Sequence, residues 1–436
     1  MTSVSQIAVM NAPQDKVTGC ENRALTESEI AKLRIAFISG NYNCLRDGAN
    51  RAQNMLVRFL LDRGASVRVY SPTCEPPAFD PAGDLVSIPS SPLPFGRKEY
   101  RIAWSLPRLI REDIAAFGPN LFHISLPLFH GRSALKLARR MGVPAVAAMH
   151  TRFETYPRYY GLGMFERPLL AVLRNFYCGC DAVVAPSQPV ADTMQAQGMG
   201  KDITLWTRGV DTSMFGPHHR DAAWRRAHGL RSDKPVIAYL GRLVLEKGLG
   251  EFAAVVGKLR SQGADFDILV IGDGPARAEF EQMLGDAVFI GLRHDVGLAS
   301  ALANADILLN ASSTEAFSNV SLEAMASGVP VVAADTTGNN HLIVDGVTGA
   351  LVPPQDIDGY ALAISRYLSD PELRANHARN AHAHSQSMTW DRANEGMIRA
   401  YFNARSRHAS RTSGRTQPSE YAPMEIGGQS PTARSA

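Results

Sequence analysis

Two glutamates, Glu315 and Glu323, stand eight positions apart in a stretch that lies between two apolar runs of the chain. The apolar runs at 306–310 and 331–334 predict strands, and the residues between them predict a polar loop, a short helix and a glycine stop. Backbone amides at a helix start lack intrahelical acceptors and attract anions. Here these amides belong to Phe317, Ser318, Asn319 and Val320. The pattern suits a ligand whose hydroxyl groups flank a phosphate, as in a nucleotide sugar.

Two cations follow another predicted strand, Val236–Leu240. Gly241 permits a sharp exit from this strand, and Arg242 and Lys247 then precede a predicted helix. Arginine can bind a diphosphate with two parallel hydrogen bonds, and lysine adds a point charge. Taken alone, Arg242 and Lys247 could be ordinary surface charges. Their place directly after a strand favours a phosphate-binding role.

Three glycines stand where the chain could approach a ligand closely. Gly272 and Gly274 lie in the turn after the strand predicted at 266–271, and Gly48 directly precedes the first long predicted helix. For Gly272 and Gly274 an ordinary tight turn explains the residues equally well. Neither turn carries the full dinucleotide fingerprint with its acidic residue, so a nicotinamide or flavin cofactor is disfavoured.

One histidine is a candidate for contact with the reacting group. His150 directly follows the predicted strand 145–149, where its ring can hydrogen-bond a sugar hydroxyl or a developing charge. His123 lies within a strand and is assigned to the core, whereas Asp211 either positions a ligand or caps a turn. The chain contains no G-x-S-x-G elbow, P-loop or H-E-x-x-H sequence, and no metal site is expected.

The elements that position these residues alternate along the chain as short apolar strands and helices. A length of 436 residues predicts two domains, and the alternation predicts parallel sheets built from right-handed βαβ units. We therefore predict an α/β fold of two facing, doubly wound Rossmann-like domains with the ligand in the cleft between them. The predicted division is a disordered tail at 1–31, a first domain at 32–215, a linker at 216–232, a second domain at 233–385, a helix at 386–403 that packs back on the first domain, and a disordered tail at 404–436.

Composition narrows the class of protein and the compartment in which we expect it. Hydrophobic residues make up 45% and charged residues 20% of the chain, and no run approaches the roughly 20 apolar residues of a membrane-spanning helix. The first thirty residues lack the pattern of a secretory signal. The five cysteines form neither a C-x-x-C pair nor a zinc pattern, so we expect reduced thiols and a cytoplasmic protein.

The net charge of +3 is unevenly distributed. Between residues 97 and 174 thirteen lysines and arginines face five acidic residues, an excess of eight positive charges. Such a basic segment predicts contact with an anionic membrane surface or an acidic acceptor, and we expect no nucleic-acid partner. The alternative is a solvated helical face without a partner.

Together these motifs resemble the retaining glycosyltransferases with the GT-B fold, known as glycosyl transferases group 1, family 4. The resemblance extends over about 34–402. Its most specific part is the segment from Glu315 to Glu323 with the Gly-Val-Pro-Val-Val sequence after it, supported by the segment 241–248.

The resemblance implies a role for each residue. Arg242 and Lys247 would hold the donor diphosphate and stabilise the leaving group, while Glu315 would contact the donor sugar and Glu323 the ribose hydroxyls. His150 would sit beside the transferred sugar. Gly48 would belong to the loop over the phosphates, and the loop amides would bind sugar and phosphate. No cofactor or metal is implied, because protein cations and helix dipoles stabilise the departing nucleotide.

Within the family, the segments 150–161 and 314–320 look most like GDP-mannose-dependent α-mannosyltransferases that act on lipid or saccharide acceptors. Two features depart from the family pattern: Arg46-Asp-Gly48 replaces a common Gly-Gly pair, and His341 stands where an acidic residue is common. Three alternatives remain open, namely a UDP-hexose-dependent transferase, a nucleotide-sugar epimerase and a non-catalytic nucleotide-sugar-binding protein.

Overall fold

The structure, a computed structural model, describes residues 25–45, 47–93, 100–153, 163–200 and 202–413. Arg46, most of the segment that follows His150 and the outer parts of both predicted tails lie outside these residues. Two parallel sheets with helices on both faces account for most of the described chain. The predicted pair of Rossmann-like α/β units is therefore confirmed.

The first sheet has seven parallel strands in the order β3-β2-β1-β6-β7-β8-β9. They are β1 (Arg34–Ile38), β2 (Ser66–Ser71), β3 (Asp84–Ser87), β6 (Leu121–Ile124), β7 (Ala145–Ala148), β8 (Ala182–Ala185) and β9 (Ile203–Leu205), and the short β4 (Ser91–Pro92) and β5 (Arg101–Ile102) pair separately. The helices of this unit are α1 (Glu27–Ile30), α2 (Gly48–Asp62), α3 (Arg108–Phe117), α4 (His130–Met141), α5 (Glu166–Tyr177) and α6 (Gln188–Ala196).

The second sheet has six parallel strands in the order β12-β11-β10-β13-β14-β15. They are β10 (Val236–Leu240), β11 (Asp267–Ile271), β12 (Val288–Gly291), β13 (Ile307–Asn310), β14 (Val331–Ala334) and β15 (Gly349–Val352). The helices that follow the first sheet are α7 (Ala222–Ala227), α8 (Leu249–Ser261), α9 (Arg277–Leu284), α10 (Asp295–Ala303), α11 (Asn319–Ala326), α12 (Ile357–Ser369), α13 (Pro371–Ser385) and α14 (Trp390–Ser413).

Apolar side chains cover both faces of each sheet, which explains why the strands are continuous apolar runs. In β1, Ile35 and Phe37 join one buried cluster, while Ala36 and Ile38 join the cluster on the opposite face. The strand β10 alternates between two clusters in the same way. Burial on both faces is what parallel sheets require.

Each sheet reverses its strand order at one point, and the site loops leave the sheets there. The reversal falls between β1 and β6 in the first sheet and between β10 and β13 in the second. Ligands of open α/β sheets bind at the carboxyl ends of the strands beside such a reversal. The loop after β10 carries Arg242 and Lys247, and the loop after β13 carries Glu315.

The last helix, α14, returns to the first sheet. Its Asn394 side chain accepts a hydrogen bond of 3.3 Å from Trp206 Nε1, and Tyr401 Oη lies 3.0 Å from His123 Nδ1. The helix continues to Ser413, so residues 404–413 are helical rather than part of the predicted tail. Its last turns are held by Arg411, which pairs with the buried carboxylate of Asp181.

The predicted N-terminal tail is also too long. The residues from 25 onward pack against the first core through Leu25 and Ile30, and Thr26 closes a capping box at the start of α1. A single short turn carries too few apolar residues for a periodic pattern, so composition alone did not reveal it. The other predicted boundaries stay predictions.

The expectation that all cysteines are reduced is wrong for one pair. Cys44 and Cys74 form a disulfide whose Cα atoms lie 5.1 Å apart. The two residues follow β1 and β2, which are parallel neighbours, so their carboxyl ends bring the two loops together. Cys178 and Cys180 are free thiols. None of the helices in the described ranges is long and apolar enough to cross a membrane.

Candidate active site

Lys247 and Glu315 form the central ion pair of the site. Lys247 Nζ donates a hydrogen bond of 2.9 Å to Glu315 Oε1. A 3-10 turn at Leu245–Lys247 follows β10 and aims the lysine at the loop after β13, the neighbouring strand. Burial alone would lower the pKa of Lys247, but the Glu315 carboxylate outweighs burial and raises this pKa above its ordinary value. Lys247 is therefore a fixed positive charge at neutral pH.

Of the two oxygens of the Glu315 carboxylate, one is hydrogen-bonded and the other has no described partner. The Glu315 side chain is 13% exposed, and its Oε2 is buried without a hydrogen-bond partner among the described residues. A buried carboxylate oxygen without a donor is costly, so Oε2 gains stability from any donor that reaches it. Oε2 can accept a hydrogen bond from a sugar hydroxyl while Lys247 holds Oε1.

Arg242 lies at the same end of the second sheet and reaches across to the first unit. Its Nη1 is 3.4 Å from Tyr100 Oη, and its guanidinium lies 5.9 Å from the centre of the Tyr100 ring. Arg242 and Lys247 both act electrostatically on Asp47, at the start of α2. Burial raises the pKa of Asp47, and the two amides it caps and these two cations offset part of that rise.

The start of α11 is fixed by a network of side chains. Ser318 Oγ caps the helix by accepting from the Ser321 amide at 3.2 Å, and Asn310 Nδ2 donates to Ser318 Oγ at 2.9 Å. The Ser318 amide itself donates to the Gly338 carbonyl at 2.9 Å. This amide is therefore already paired in the structure, and the predicted role of Ser318 in donor binding stays a prediction. Asn319 and Val320 occupy the first helical positions, where amides have no intrahelical acceptor.

Phe317 packs its ring against the ring of His341, with the ring centres 4.8 Å apart. His341 Nδ1 bonds the Thr337 carbonyl at 3.1 Å, which leaves Nε2 buried and unpartnered within the described chain. Burial lowers the pKa of His341 to about 4. The residue is thus a neutral acceptor in a place where the family commonly has an acid.

Gly48 and Asn319 meet where the two units face each other. A Cβ atom on Gly48 would collide with the Asn319 side-chain amide nitrogen. The amide oxygen of Asn319 is buried and has no partner among the residues the structure describes. The glycine therefore lets the first unit approach the start of α11, and the amide oxygen of Asn319 is available to accept a further hydrogen bond.

We expect Gly48→Ala to raise the Michaelis constant for the sugar donor by about tenfold, because the added methyl group must displace Asn319 or hold the units apart. Steady-state kinetics in the Asn319→Ala background isolates this cause: there the alanine at 48 should add no further loss. A Cβ on Gly257 meets no described atom within 4 Å, so Gly257→Ala is the control. Equal losses from Gly48→Ala in both backgrounds would contradict the collision.

Glu323 lies one turn along α11 and is paired with Arg51 of α2. The side chain of Glu323 is 9% exposed and that of Arg51 37%. Burial raises the pKa of Glu323, and Arg51 offsets part of this rise. The predicted ribose-binding carboxylate is therefore in contact with the opposite unit.

His150 is brought to the same cleft by β7 and is held by Arg208. Arg208 Nη2 lies 3.0 Å from His150 Nδ1. Because a guanidinium can only donate, Nδ1 is the acceptor and the proton of the neutral ring is on Nε2. Burial, with Arg208, holds the pKa of His150 well below its ordinary value. Nε2 is buried without a described partner, so its N–H remains available to a further acceptor.

Gly272 and Gly274 serve the backbone packing around the loop after β10. A Cβ at Gly272, whose φ is +145°, would collide with the Gly241 carbonyl, and one at Gly274 would collide with the Leu243 backbone. Gly241 itself bonds the carbonyl of Ile271 at 3.0 Å. Packing therefore accounts for Gly272 and Gly274, and a φ of +155° favours glycine at position 241. Contact of all three with a ligand stays a prediction.

Several residues of the cleft were not among the predicted site residues: Asp47, Arg51, Tyr100 and Arg208. Only Asp47 carried a sequence signal, as part of the Arg46-Asp-Gly48 departure. Burial lowers the pKa of Arg208 to about 10, and Asp47 partly offsets the effect.

Two residues left open by the sequence have structural roles. Asp211 caps a turn by accepting from the Ser213 amide at 3.0 Å and the Met214 amide at 3.2 Å, which favours the turn alternative. His123 is fully buried in the core, as predicted. Among the described residues, no group of three or more His, Cys, Asp and Glu side chains is arranged to hold a metal ion.

Comparison with families of proteins identifies the two units separately. The family model described as Glycosyltransferase Family 4 matches residues 46–214, and the model described as Glycosyl transferases group 1 matches residues 221–384. The GDP-mannose-dependent alpha-mannosyltransferase of Mycobacterium tuberculosis (strain CDC 1551 / Oshkosh) is 31% identical over 326 residues, which cover 74% of this chain and 84% of that protein. The sulfoquinovosyl transferase SQD2 of Arabidopsis thaliana is 30% identical over 349 residues, or 78% of this chain and 67% of that protein.

Solved structures resemble the whole arrangement. Sucrose-phosphate synthase from Thermosynechococcus elongatus matches with a TM-score of 0.71 at 22% identity, over 86% of this chain and 100% of that chain. Anabaena Alr3699/HepE in complex with UDP-glucose matches with a TM-score of 0.63 at 18% identity, over 88% of this chain and 100% of that chain. These likenesses confirm the predicted fold, with two facing Rossmann-like domains of the GT-B type.

Proposed function

This chain belongs to the group 1 and family 4 glycosyltransferases, and from that membership we propose that it transfers mannose from GDP-mannose to a lipid or saccharide acceptor, with retention at the anomeric carbon. The observation that carries the proposal is the Lys247–Glu315 pair with its unpartnered carboxylate oxygen. It offers, at one point, a cation for a departing phosphate and an acceptor for a sugar hydroxyl.

In the proposed reaction, Arg242 and Lys247 bind the donor diphosphate and stabilise the negative charge that develops as the bond to the sugar breaks. Lys247 is held by Glu315 and Arg242 contacts Tyr100, so both cations are positioned before the donor binds. Glu315 orients the sugar through Oε2. His150, neutral and protonated on Nε2, donates to a sugar oxygen rather than acting as an acid.

The remaining donor contacts come from the start of α11. The amides of Asn319 and Val320 and the Phe317 loop hold the sugar and phosphate, and Glu323 accepts hydrogen bonds from the ribose hydroxyls. Gly48 keeps the first domain close above the phosphates. Packing of Gly272 and Gly274 against Gly241 and Leu243 fixes the loop 241–248, which carries both cations.

Mannose as the sugar rests on the relative from Mycobacterium tuberculosis, a GDP-mannose-dependent alpha-mannosyltransferase. A UDP-hexose donor is the second candidate, because Anabaena Alr3699/HepE has the same fold and was solved with UDP-glucose. Calorimetry with GDP-mannose, GDP, UDP-glucose and UDP tests the choice. Binding of GDP-mannose at least ten times tighter than UDP-glucose is expected, and the reverse preference would overturn the mannose assignment.

Product analysis tests the reaction class. Incubation of the protein with donor alone should return unchanged donor or slow hydrolysis, whereas addition of polar lipids or oligosaccharides should yield a glycosylated product with the anomeric configuration of the donor. A new nucleotide sugar in the donor-only reaction would indicate an epimerase. Tight donor binding without transfer to any acceptor would indicate a binding protein.

We also propose that the first domain docks on the anionic inner face of the cytoplasmic membrane, where a lipid acceptor is available. Four large apolar side chains in this part of the chain are exposed: Trp104 by 67%, Leu109 by 77%, Met164 by 80% and Phe165 by 53%. Trp104 stacks edge-on against Phe129, which follows β6, and Met164 and Phe165 lie in a short turn directly before α5. Exposed apolar groups among basic residues suit insertion at an anionic bilayer surface.

Vesicle co-sedimentation tests the docking. The protein should pellet with anionic vesicles at low salt and much less with neutral vesicles, because each lysine or arginine near an anionic surface contributes about 1 kcal/mol. Phe165→Ser should weaken this binding, whereas Leu362→Ser, at an exposed apolar position of the second domain, should not. Equal binding to neutral and anionic vesicles would contradict the proposal. Arg97, Lys98, Glu99, Glu154 and Arg158 of the basic segment lie outside the described residues.

A further inference from the structure

The ion pair between Arg51 and Glu323 joins the two domains. Arg51 Nη1 donates to Glu323 Oε1, a contact between residues 272 positions apart. Arg51 projects from the first turns of α2, and Glu323 lies in α11 of the second domain. On its other side the guanidinium lies 5.9 Å from the centre of the Phe215 ring and interacts with the Asp211 carboxylate.

A buried carboxylate needs such a partner. Glu323 is 9% exposed, and burial raises its pKa by disfavouring the charged form. Arg51 is the charged side chain that contacts it within the described chain. Asp211 faces Arg51 rather than Glu323, and His382 of α13 bonds the Ala326 carbonyl at 2.7 Å, at the far end of α11. The charge of Glu323 therefore depends on a residue of the opposite domain.

We propose that Arg51 is a positioning residue for donor recognition: it keeps Glu323 ionised, and so able to accept the ribose hydroxyls, only when the two domains are closed. The inference rests on the proposed function, which assigns Glu323 to the ribose. A carboxylate accepts hydrogen bonds at both oxygens, whereas a protonated acid gives up part of this capacity. Arg51 bonds Oε1 and leaves Oε2 of Glu323 for the donor, so recognition of the nucleoside is coupled to closure of the cleft.

We expect the effect of Arg51 on nucleotide binding to depend on pH. An arginine that only linked the two domains would act equally at every pH. Without Arg51, the pKa of the buried Glu323 rises further, so a larger share of the carboxyl is protonated at pH 6 than at pH 8.5. Arg51→Met should therefore weaken binding of GDP about tenfold at pH 6 relative to the full-length wild-type protein, and less than about threefold at pH 8.5. Arg51→Lys restores a positive charge and should recover most of the affinity at both pH values.

Calorimetry of GDP with these variants is the experiment. Arg58 is exposed on the same helix, so Arg58→Met is the matched control and should bind like wild type throughout. Glu323→Gln should bind weakly at every pH, and adding Arg51→Met to it should cause no further loss, because there is no carboxyl left to titrate. Thermal unfolding of each variant confirms that the compared proteins are folded.

Three outcomes overturn the inference. If Arg51→Met binds GDP more tightly than wild type, Arg51 competes with the nucleotide instead of assisting it. If the loss is the same at pH 6 and pH 8.5, Arg51 acts only as a structural link between domains. If the wild-type protein binds neither GDP nor UDP at any pH, the proposed function fails, and the inference fails with it.

Discussion

Replacement of Lys247 by methionine is expected to lower kcat/KM by about two to three orders of magnitude, the usual loss when one preorganised group that stabilises developing negative charge is removed. Methionine keeps most of the apolar stem and removes the ammonium group that bonds Glu315 at 2.9 Å. The loss should fall mainly on kcat, because the charge on the leaving diphosphate grows in the transition state. Initial rates with saturating donor and acceptor measure this effect.

The control for Lys247 is Lys258 of α8. Lys258 is 34% exposed, close to the 32% of Lys247, and it also pairs with a carboxylate, that of Asp358. Lys258→Met removes the same charge from the same domain away from the cleft and should leave the rate within about twofold of wild type. Rates near wild type in Lys247→Met would disprove the site assignment, and equal losses in both variants would point to a general effect of charge.

Asp306→Asn is expected to destabilise the protein by about 3–5 kcal/mol, the typical cost of breaking a buried ion pair from one side. Asp306 stands just before β13, is 9% exposed, and binds Arg225 at 2.7 Å and Arg220 at 2.6 Å. Arg225 is 5% exposed, so the substitution leaves its guanidinium buried without a countercharge. Chemical denaturation should show the loss, with a fall in melting temperature on the order of 10 °C.

The pH dependence of this loss has a definite sign. Burial alone would raise the pKa of Asp306, but Arg220 and Arg225 outweigh it and hold the pKa below the ordinary value of an aspartate. The stabilisation is therefore complete above about pH 4 and disappears as the pH falls through the lowered pKa. The difference between Asp306→Asn and wild type should shrink in acid. Asp358→Asn, at a 79% exposed carboxylate, should change stability by less than about 1 kcal/mol at any pH.

The sequence revealed the Lys247–Glu315 pair because local patterns place both residues directly after strands. Once two strands are recognised as parallel, their carboxyl ends share one edge of the sheet, and β10 and β13 are neighbours there. His150 was found for the same reason, since it follows β7. Site residues that directly follow strands can therefore be predicted from the apolar periodicity and from short motifs.

Contacts between the domains were not visible in this way. Arg51 lies on an ordinary amphipathic helix, and nothing local distinguishes it from Arg58. Its meeting with Glu323 depends on how two separately folded units face each other, which no short sequence pattern encodes. The Ser318 amide illustrates a further limit, because the helix start that suggested an anion site has one donor already taken by the Gly338 carbonyl.

The return of α14 to the first sheet also affects the order in which the protein can fold. The buried His123 side chain contacts Tyr401, which is synthesised 278 residues later. Asp181 likewise pairs with Arg411, which is also synthesised later. At roughly 5–20 residues per second, a ribosome needs on the order of 15 s to one minute to add that stretch. The first domain therefore leaves the ribosome with an uncovered apolar face, and the second domain can complete its core before the first domain is closed.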